Sequence, residues 1–136
     1  MSVEAVKKIG SFNYEINVCG HKLLTDISEK LGGSDAGPEP HALLESALAA
    51  CTAVTMQKYA ETNGIPLVCS DVKIKIINEG PINRIEREIT LVGELLTDEQ
   101  RHALFSVAEE CPVHQFLTRG AQIHSKLNSP ELFVGL

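Results

Sequence analysis

Residues 40–63 form the longest helical pattern of the chain, and their composition restricts the fold more than any other feature. Pro40 suits the first turn of a helix, and Pro66 prevents its continuation. A helix of this length would span about 36 Å at ~1.5 Å per residue. Between His41 and Met56 it is apolar on nearly every side, whereas a helix at a protein surface keeps a polar half. We therefore predict a central, buried helix that needs more cover than one sheet supplies, most simply from a second copy of the chain.

Strand patterns lie on both sides of this helix. Two short apolar-polar alternations in residues 12–26 are separated by Cys19 and Gly20, which predicts a hairpin with Gly20 in the turn. Residues 71–77 and 84–95 alternate again. Strands before and after a long helix, followed by further helices, indicate an α+β fold.

The second half of the chain carries clear helix signals. Thr97, with Gln100 three residues later, forms a capping box that predicts the start of a helix. Cys111-Pro112 should interrupt that helix, because the residue before a proline avoids the helical conformation. A short helix, PVHQFLTR, is then predicted to end at Gly120.

The length and charge of the chain limit the classes of protein to which it can belong. Its 136 residues match the usual size of one domain, so we predict a single domain over residues 1–136. Within it, residues 121–127 alternate like a final strand, and residues 127–136 form a tail of uncertain role. The sequence has no apolar run of roughly 20 residues and no signal-like amino end, and its net charge of −6 opposes nucleic-acid binding. We expect a cytoplasmic protein with no membrane or nucleic-acid partner.

Two of the four cysteines have surroundings that could support chemistry. Cys51 lies in the middle of the long helix among small apolar residues, either as a functional thiol or as a structural cysteine that fills a gap. Cys111 lies at the amino end of a helix, where free amides and the helix dipole favour a thiolate. The alternative at Cys111 is a capping residue without function. Cys19 and Cys69 have no supporting groups nearby, and in a reducing compartment only a transient catalytic disulfide remains open.

Three further residues could take part in a site. Cys111 and His114 have the spacing of half a zinc site, but no second ligand pair occurs at such spacing, so no metal is predicted. Arg87 shares the apolar face of its strand, where it could snorkel, or lie beside a buried thiolate and lower its pKa, or bind a carboxylate such as Glu45. Glu45 lies about 120° round the helix from Cys51, so it must reach a neighbouring element, a dimer partner or solvent.

Two segments resemble the OsmC/Ohr family of osmotically inducible and organic-hydroperoxide-resistance proteins. The first is GGSDAGPEPHALLESALAACTAVTMQKYAETNGIPL, in which a Gly-Pro-x-Pro entry precedes a long helix carrying the family's first active cysteine. The second is RIEREITLVGELLTDEQRHALFSVAEECPVHQFL, which looks like the strand, helix and Cys-Pro-Val-His segment that holds the second cysteine. The resemblance covers about residues 20–127. Two cysteine motifs in the right order make it specific.

The resemblance implies an intertwined homodimer in which two long helices pack back to back, with antiparallel sheets outside them and active sites at the subunit interface. It also implies a thiol-dependent peroxidase. In such a protein Cys51 attacks the O–O bond of an organic hydroperoxide and becomes a sulfenic acid, and Cys111 condenses with it to a disulfide that an external thiol or dithiol reduces, without a bound cofactor. The alternative is a non-catalytic or redox-sensing dimer whose pocket binds a small hydrophobic ligand.

The sequence departs from the better-characterised branches of that family at two positions. Their activating Arg lies in the amino-terminal strands, whereas residues 1–83 contain no Arg here. Their pocket Glu comes from the turn that enters the long helix, where this chain has His41. Arg87 and Glu45 are our predicted substitutes, so the predicted catalytic residues are these two together with Cys51 and Cys111.

Overall fold

The computed structural model describes residues 2–7 and 12–128. Within these residues two antiparallel sheets and three α-helices alternate along the chain, which confirms the predicted α+β fold. The elements are β1 (Val3–Lys7), β2 (Tyr14–Val18), β3 (His21–Thr25), α1 (Pro40–Thr62), β4 (Cys69–Asn78), β5 (Arg84–Val92), α2 (Asp98–Val107) and α3 (Pro112–Arg119), with short 3₁₀ turns at Glu29–Leu31 and Ala108–Glu110.

The long helix predicted for residues 40–63 is confirmed as α1. Pro40 occupies its first turn, and at its end the Asn63 side-chain amide donates to the Tyr59 carbonyl at 2.9 Å. The residues of α1 that are fully buried follow one another at four-residue spacing: Leu48, Thr52, Met56 and Ala60. The single chain thus buries one stripe of α1, and much of its other surface stays exposed although its composition is apolar.

The covered stripe of α1 packs against α2 and the sheet of β4 and β5. The capping box that starts α2 is present, because the Thr97 hydroxyl accepts the Gln100 N–H at 3.1 Å and the Gln100 side chain accepts the Thr97 N–H at 3.0 Å. This cap fixes the direction in which α2 crosses onto α1. The resulting core consists of Met56, Ala60, Leu67, Leu104, Val107 and Ala108.

The β4–β5 sheet is antiparallel, with Ile74 opposite Arg87. Burial alternates along β5, and Arg87 lies on the half-buried face as its parity predicted. Cys69 is the first residue of β4 and pairs with Val92 at the end of β5. The position of Arg87 is important because this face of the sheet looks towards α1.

The other sheet has the order β1-β2-β3. The predicted hairpin is confirmed as β2 and β3, and both of its turn residues have positive φ, 46° at Cys19 and 88° at Gly20, as a two-residue turn of this kind requires. β1 was not predicted. It is a short strand whose residues are all exposed, so it carries no burial pattern, and it pairs with β2 through Val3 opposite Val18.

A buried carboxylate organises the loop that leads from β3 to α1. Asp26 accepts backbone N–H groups from Ile27 at 2.7 Å, from Ser34 at 3.1 Å and from Ala36 at 3.0 Å. The bond from Ala36 is the main cause of a lowered pKa for Asp26, the other two amides act in the same direction, and burial opposes them. The ionised side chain thereby holds the entry to α1 in place.

Of the predictions for the carboxyl-terminal part of the chain, the end of α3 is confirmed and the last strand is wrong. α3 ends before Gly120, whose N–H donates to the Phe116 carbonyl at 3.0 Å, as predicted. The strand predicted for residues 121–127 is wrong: residues 121–128 have no regular structure and are exposed. No strand in the described part of the chain lies alongside to pair with them. Residues 129–136, most of the predicted tail, lie outside the described residues.

Candidate active site

The structure brings together the two cysteines that the sequence singled out. α1 carries Cys51 to the start of α3, where Cys111 is the residue before the helix, and each of the two thiols influences the pKa of the other. Cys51 is half-buried, whereas Cys111 is 0% exposed. Both are free thiols in this structure. Two cysteines far apart along the chain are therefore neighbours in the fold.

The environment of Cys111 favours its thiolate. Burial raises the pKa of the Cys111 thiol, but hydrogen bonds from the Cys51 thiol and from the amides of His114 and Val113 lower it. The His114 N–H lies 3.5 Å from Cys111 Sγ, so the sulfur caps α3. The Thr52 hydroxyl acts in the same direction, and the net result is a pKa of Cys111 below its ordinary value of 9.0. This is the thiolate environment that the helix terminus predicted.

The environment of Cys51 has the opposite effect. Burial raises the pKa of the Cys51 thiol most, and the hydrogen bond and charge of Cys111 raise it further. The Val113 amide and the Thr55 hydroxyl lower it only in part. Of the two thiols, Cys51 is therefore the one that keeps its proton to the higher pH.

Arg87 reaches the interior from β5, but among the described residues it forms no hydrogen bond with a cysteine and no ion pair with Glu45. Its Nη1 donates to Thr52 Oγ1 at 3.2 Å. Thr52 is 0% exposed, and its Oγ1 also lies 2.7 Å from the Leu48 carbonyl oxygen one turn earlier in α1. Of the alternatives that the sequence left open for Arg87, the guanidinium thus takes none of the proposed partners and binds a hydroxyl.

Glu45 reaches a neighbouring element, as the geometry of the helix required. Its Oε2 accepts the backbone N–H of Ile76 in β4 at 3.1 Å. In the described chain β4 has a partner strand on one side only, so its outer edge presents free amides, and Glu45 accepts one of them. Glu45 therefore fastens α1 to β4, and among the described residues it forms no ion pair with Arg87.

An open cleft of about 540 Å³ lies beside the thiol pair. Its apolar lining consists of Leu44, Leu48, Ile76, Ile85 and Leu117, and its polar lining of His41, Glu79, Asn83, Arg87, His114 and Thr118. Neither cysteine lines it. The cleft approaches the sulfurs through Arg87, which bonds to Thr52, and through His114, whose backbone N–H bonds to Cys111.

Sequence reasoning missed two residues of this region. The sequence does contain a signal for Thr52, since it is a polar residue on the otherwise apolar stripe of α1. No sequence pattern indicated that Glu79 would lie at this site. It lies in the loop after β4, where its Oε1 is 2.8 Å from His41 Nε2 at the cleft, and both side chains are largely exposed.

Two further observations concern metal binding and membrane-spanning helices in the described part of the chain. No group of three or more His, Cys, Asp or Glu side chains within residues 2–7 and 12–128 could hold a metal ion. None of the helices described is both long enough and apolar enough to cross a membrane.

Solved structures share this fold at low sequence identity. An OsmC-like protein from Mycoplasma pneumoniae is 20% identical with a TM-score of 0.71, over 86% of this chain and 86% of that chain. An organic hydroperoxide resistance protein from Elizabethkingia anophelis is 21% identical with a TM-score of 0.65, over 87% and 86% of the two chains. A third, from Legionella pneumophila, is an organic hydroperoxide resistance protein OsmC that is 21% identical with a TM-score of 0.60, over 84% and 85%. No curated protein matches the sequence significantly.

At these identities the likeness establishes the fold, and the family follows from the sequence itself. The family model described as OsmC-like protein matches residues 32–126, which include both cysteines and the whole of α1. This is well over half of the chain, and the protein therefore belongs to the OsmC family.

Proposed function

We propose that the protein is a thiol-dependent peroxidase that reduces organic hydroperoxides, with Cys51 and Cys111 as its redox pair. The observation that carries the proposal is that the fold makes these two cysteines neighbours, beside an open cleft that is lined by both apolar and polar side chains. Membership of the OsmC family supports it. The shared fold with a protein named an organic hydroperoxide resistance protein supports the choice of substrate.

Access makes Cys51 the attacking thiol of this proposal. Cys51 is half-buried, whereas Cys111 has no exposed surface that a peroxide could reach. Because a thiol attacks as its thiolate, Cys51 must first lose its proton. Cys111 is a neighbour of Cys51 and has the lower pKa of the two, so in this proposal its thiolate takes that proton as the peroxide arrives.

The steps balance without a metal or an organic cofactor. The thiolate of Cys51 attacks the terminal oxygen of ROOH, the O–O bond breaks, and the products are a Cys51 sulfenic acid and RO⁻. The Cys111 thiol returns its proton to RO⁻, which leaves as the alcohol ROH. The Cys111 thiolate then attacks the sulfur of Cys51 and hydroxide leaves, which forms the disulfide. Two molecules of an external thiol, or one dithiol, reduce it to two thiols and become oxidised themselves.

A homodimer is part of the proposal because the single chain leaves Cys51 beside an open surface. Ala47, Ala50 and Val54 are exposed on α1 and project from one face at about 100° per residue. Cys51 adjoins this face. Small side chains allow a second helix to approach closely, so a second copy of α1 packed here would keep water away from Cys51.

Treatment with one equivalent of cumene hydroperoxide tests the proposal. Peptide mass analysis after alkylation should find a Cys51–Cys111 disulfide, while Cys19 and Cys69, both exposed, stay reduced. Cys51→Ser should abolish hydroperoxide consumption, and Cys69→Ser, the matched control, should not change it. Four unmodified thiols after exposure to the peroxide would overturn the proposal.

The cleft favours one other candidate, because neither cysteine lines it. It could hold a small hydrophobic ligand in a dimer whose cysteines are not catalytic. Saturable binding of a fatty acid, together with thiols that do not react with the peroxide, would replace the peroxidase by this binding function. Peroxide-dependent disulfide formation excludes that outcome.

A further inference from the structure

Arg87 is a cation without a carboxylate partner in the described part of the chain. It is half-buried, it lines the cleft, and its one hydrogen bond to these residues runs from Nη1 to Thr52 Oγ1 at 3.2 Å. The carboxylate of Glu45 is bonded to the Ile76 N–H instead. A guanidinium has several further N–H donors. Because a partly buried charge without a counter-charge destabilises the fold, its place in the cleft points to an anion that binds there.

The charges on the outer face of the same sheet are arranged differently. Glu86 of β5 lies opposite Lys75 of β4, and Glu88 lies opposite Lys73. All four of these residues are exposed. On the inner face, Arg87 lies opposite an isoleucine. The strand pair thus sets an opposite charge across from each of the two outward glutamates and none across from the inward arginine between them.

The cleft beside Arg87 has the size and the walls of a small-molecule site. Its volume of about 540 Å³ lies within the range of roughly 300–1,000 Å³ that is usual for such sites. Aliphatic side chains from α1, from both strands of the sheet and from α3 line it: Leu44, Leu48, Ile76, Ile85 and Leu117. An aliphatic wall next to one guanidinium fits a ligand that has an aliphatic body and an anionic head.

The charges of the cleft favour a head group with a single negative charge. The other titratable side chains that line it are His41, Glu79 and His114, and Glu79 Oε1 lies 2.8 Å from His41 Nε2. Arg87 is thus the one lining residue that is always cationic. A phosphate monoester carries close to two negative charges near pH 7, and the negative charge of Glu79 opposes it further. A carboxylate has one charge, and its planar shape matches the fork of donors on a guanidinium.

We propose that the cleft is a binding site for a small organic carboxylate with an aliphatic body, and that Arg87 binds the carboxylate. The bond to Thr52 holds the guanidinium in position before a ligand arrives, which reduces the entropy lost on binding. The donors that Thr52 does not use bind the head group. The aliphatic body lies along the apolar wall. This site needs no reaction of the cysteines, so it goes beyond the peroxidase.

Titration with octanoate and with 1-octanol, followed by methyl NMR of the reduced full-length protein, tests the head-group contact. The two probes have the same chain length and differ in charge. Octanoate should bind about ten- to a hundredfold more tightly than octanol, because charge-assisted hydrogen bonds form with octanoate alone. The methyl signals of Ile85 and Leu117 should shift, while those of Ile123 and Leu127, which are 88% and 96% exposed and do not line the cleft, should not.

Arg87→Met should lower the affinity for octanoate to that for octanol and leave octanol binding unchanged. Retained octanol binding shows that the cleft of the variant is intact. Arg84→Met is the matched control, since Arg84 is exposed at the start of the same strand and does not line the cleft. It should keep the preference for octanoate. Equal affinities for the two probes in the wild type, or a preference that survives Arg87→Met, would show that Arg87 does not bind a carboxylate here.

A second pair of variants tests the position of the aliphatic body. Leu117→Gln should weaken the binding of both probes by a similar factor of about ten, because both lose the same apolar contact. Phe116→Gln, at a neighbouring residue that is 63% exposed and does not line the cleft, should change neither affinity. Unchanged affinities in Leu117→Gln would contradict the proposed position of the ligand.

The carboxylate site and the peroxidase are tested separately, because the titrations contain no peroxide. A preference for octanoate that depends on Arg87, in a protein that does not consume hydroperoxide, supports the carboxylate site and contradicts the peroxidase. Hydroperoxide consumption without that preference does the opposite.

Discussion

At the scale of the residue, the site divides the two requirements of a reactive thiol between two cysteines. A redox cysteine needs access to its substrate and an environment that stabilises the thiolate. Cys51 has the access, because it is half-buried beside an open face of α1. Cys111 has the stabilising environment, supplied by the start of α3 and by Thr52. Because the two thiols influence each other's pKa, these two properties belong to one pair of neighbouring residues.

Cys111→Ser should make the reaction of Cys51 with a hydroperoxide strongly dependent on pH. Burial, the main cause of the raised pKa of Cys51, persists in the variant, while the base that accepts its proton is lost. Because burial keeps the pKa of Cys51 above its ordinary value, only a small fraction of this thiol is ionised near pH 7, and that fraction grows about tenfold per pH unit up to the pKa.

The single-turnover rate constant of Cys111→Ser should therefore rise about tenfold per pH unit from pH 7 towards its plateau at high pH. The wild-type rate constant should change far less over the same range, because its proton passes to Cys111. Stopped-flow measurement of hydroperoxide loss gives both profiles, and Cys69→Ser should follow the wild type. A flat profile for Cys111→Ser would contradict the role of Cys111 as the base.

The residues of the site were predictable to the extent that their positions depend on local pattern. Strand parity placed Arg87 on the inner face of β5, and helix geometry directed Glu45 away from Cys51. Their partners were not predictable. Whether Arg87 meets a thiol, Glu45 or Thr52 depends on how α1 is rotated over the β4–β5 sheet, and no local sequence signal encodes that rotation.

At the scale of the element, the packing of α2 on α1 holds the core together. Leu104 of α2 is 0% exposed and belongs to the cluster that includes Met56 and Ala60 of α1. Phe105, the next residue, is 57% exposed on the opposite side of the same helix. The pair therefore offers a buried position and a surface position with the same backbone and nearly the same sequence context.

Leu104→Ala should lower the free energy of unfolding by about 2–5 kcal/mol, because the truncated side chain leaves a cavity that the core fills only in part. Phe105→Ala should change it by only about 0.5 kcal/mol. Urea denaturation followed by circular dichroism measures both. Equal losses in the two variants would mean that α2 does not dock on α1 through Leu104.

The elements also show where sequence pattern stops being informative. The hairpin turn and the capping box were found because each depends on a few adjacent residues. Residues 121–127 alternate like a strand but form none, since alternation says nothing about whether a neighbouring strand is available. β1 was missed for the converse reason: it is exposed along its length and is held by its pairing with β2.

At the scale of the whole molecule, the single chain leaves two apolar surfaces open. One is the face of α1 formed by Ala47, Ala50 and Val54, and the other lies on the β1–β3 sheet, where Val3 and Leu23 are exposed. A soluble monomer rarely exposes large contiguous apolar patches. The composition of α1 led to the same requirement for additional cover, which the proposed homodimer would supply on the face of α1.

Val54→Asp should dissociate that dimer, whereas Phe105→Asp should not. The two side chains are equally exposed in the single chain, at 57% each, so a difference between the variants reports the surface and not the general effect of an added carboxylate. A carboxylate forced into a helix-helix interface without a partner costs several kcal/mol, which corresponds to a rise of about a hundredfold or more in the dissociation constant.

Sedimentation equilibrium should find the wild type and Phe105→Asp as dimers and Val54→Asp as a monomer. Identical masses for the two variants would place the interface elsewhere.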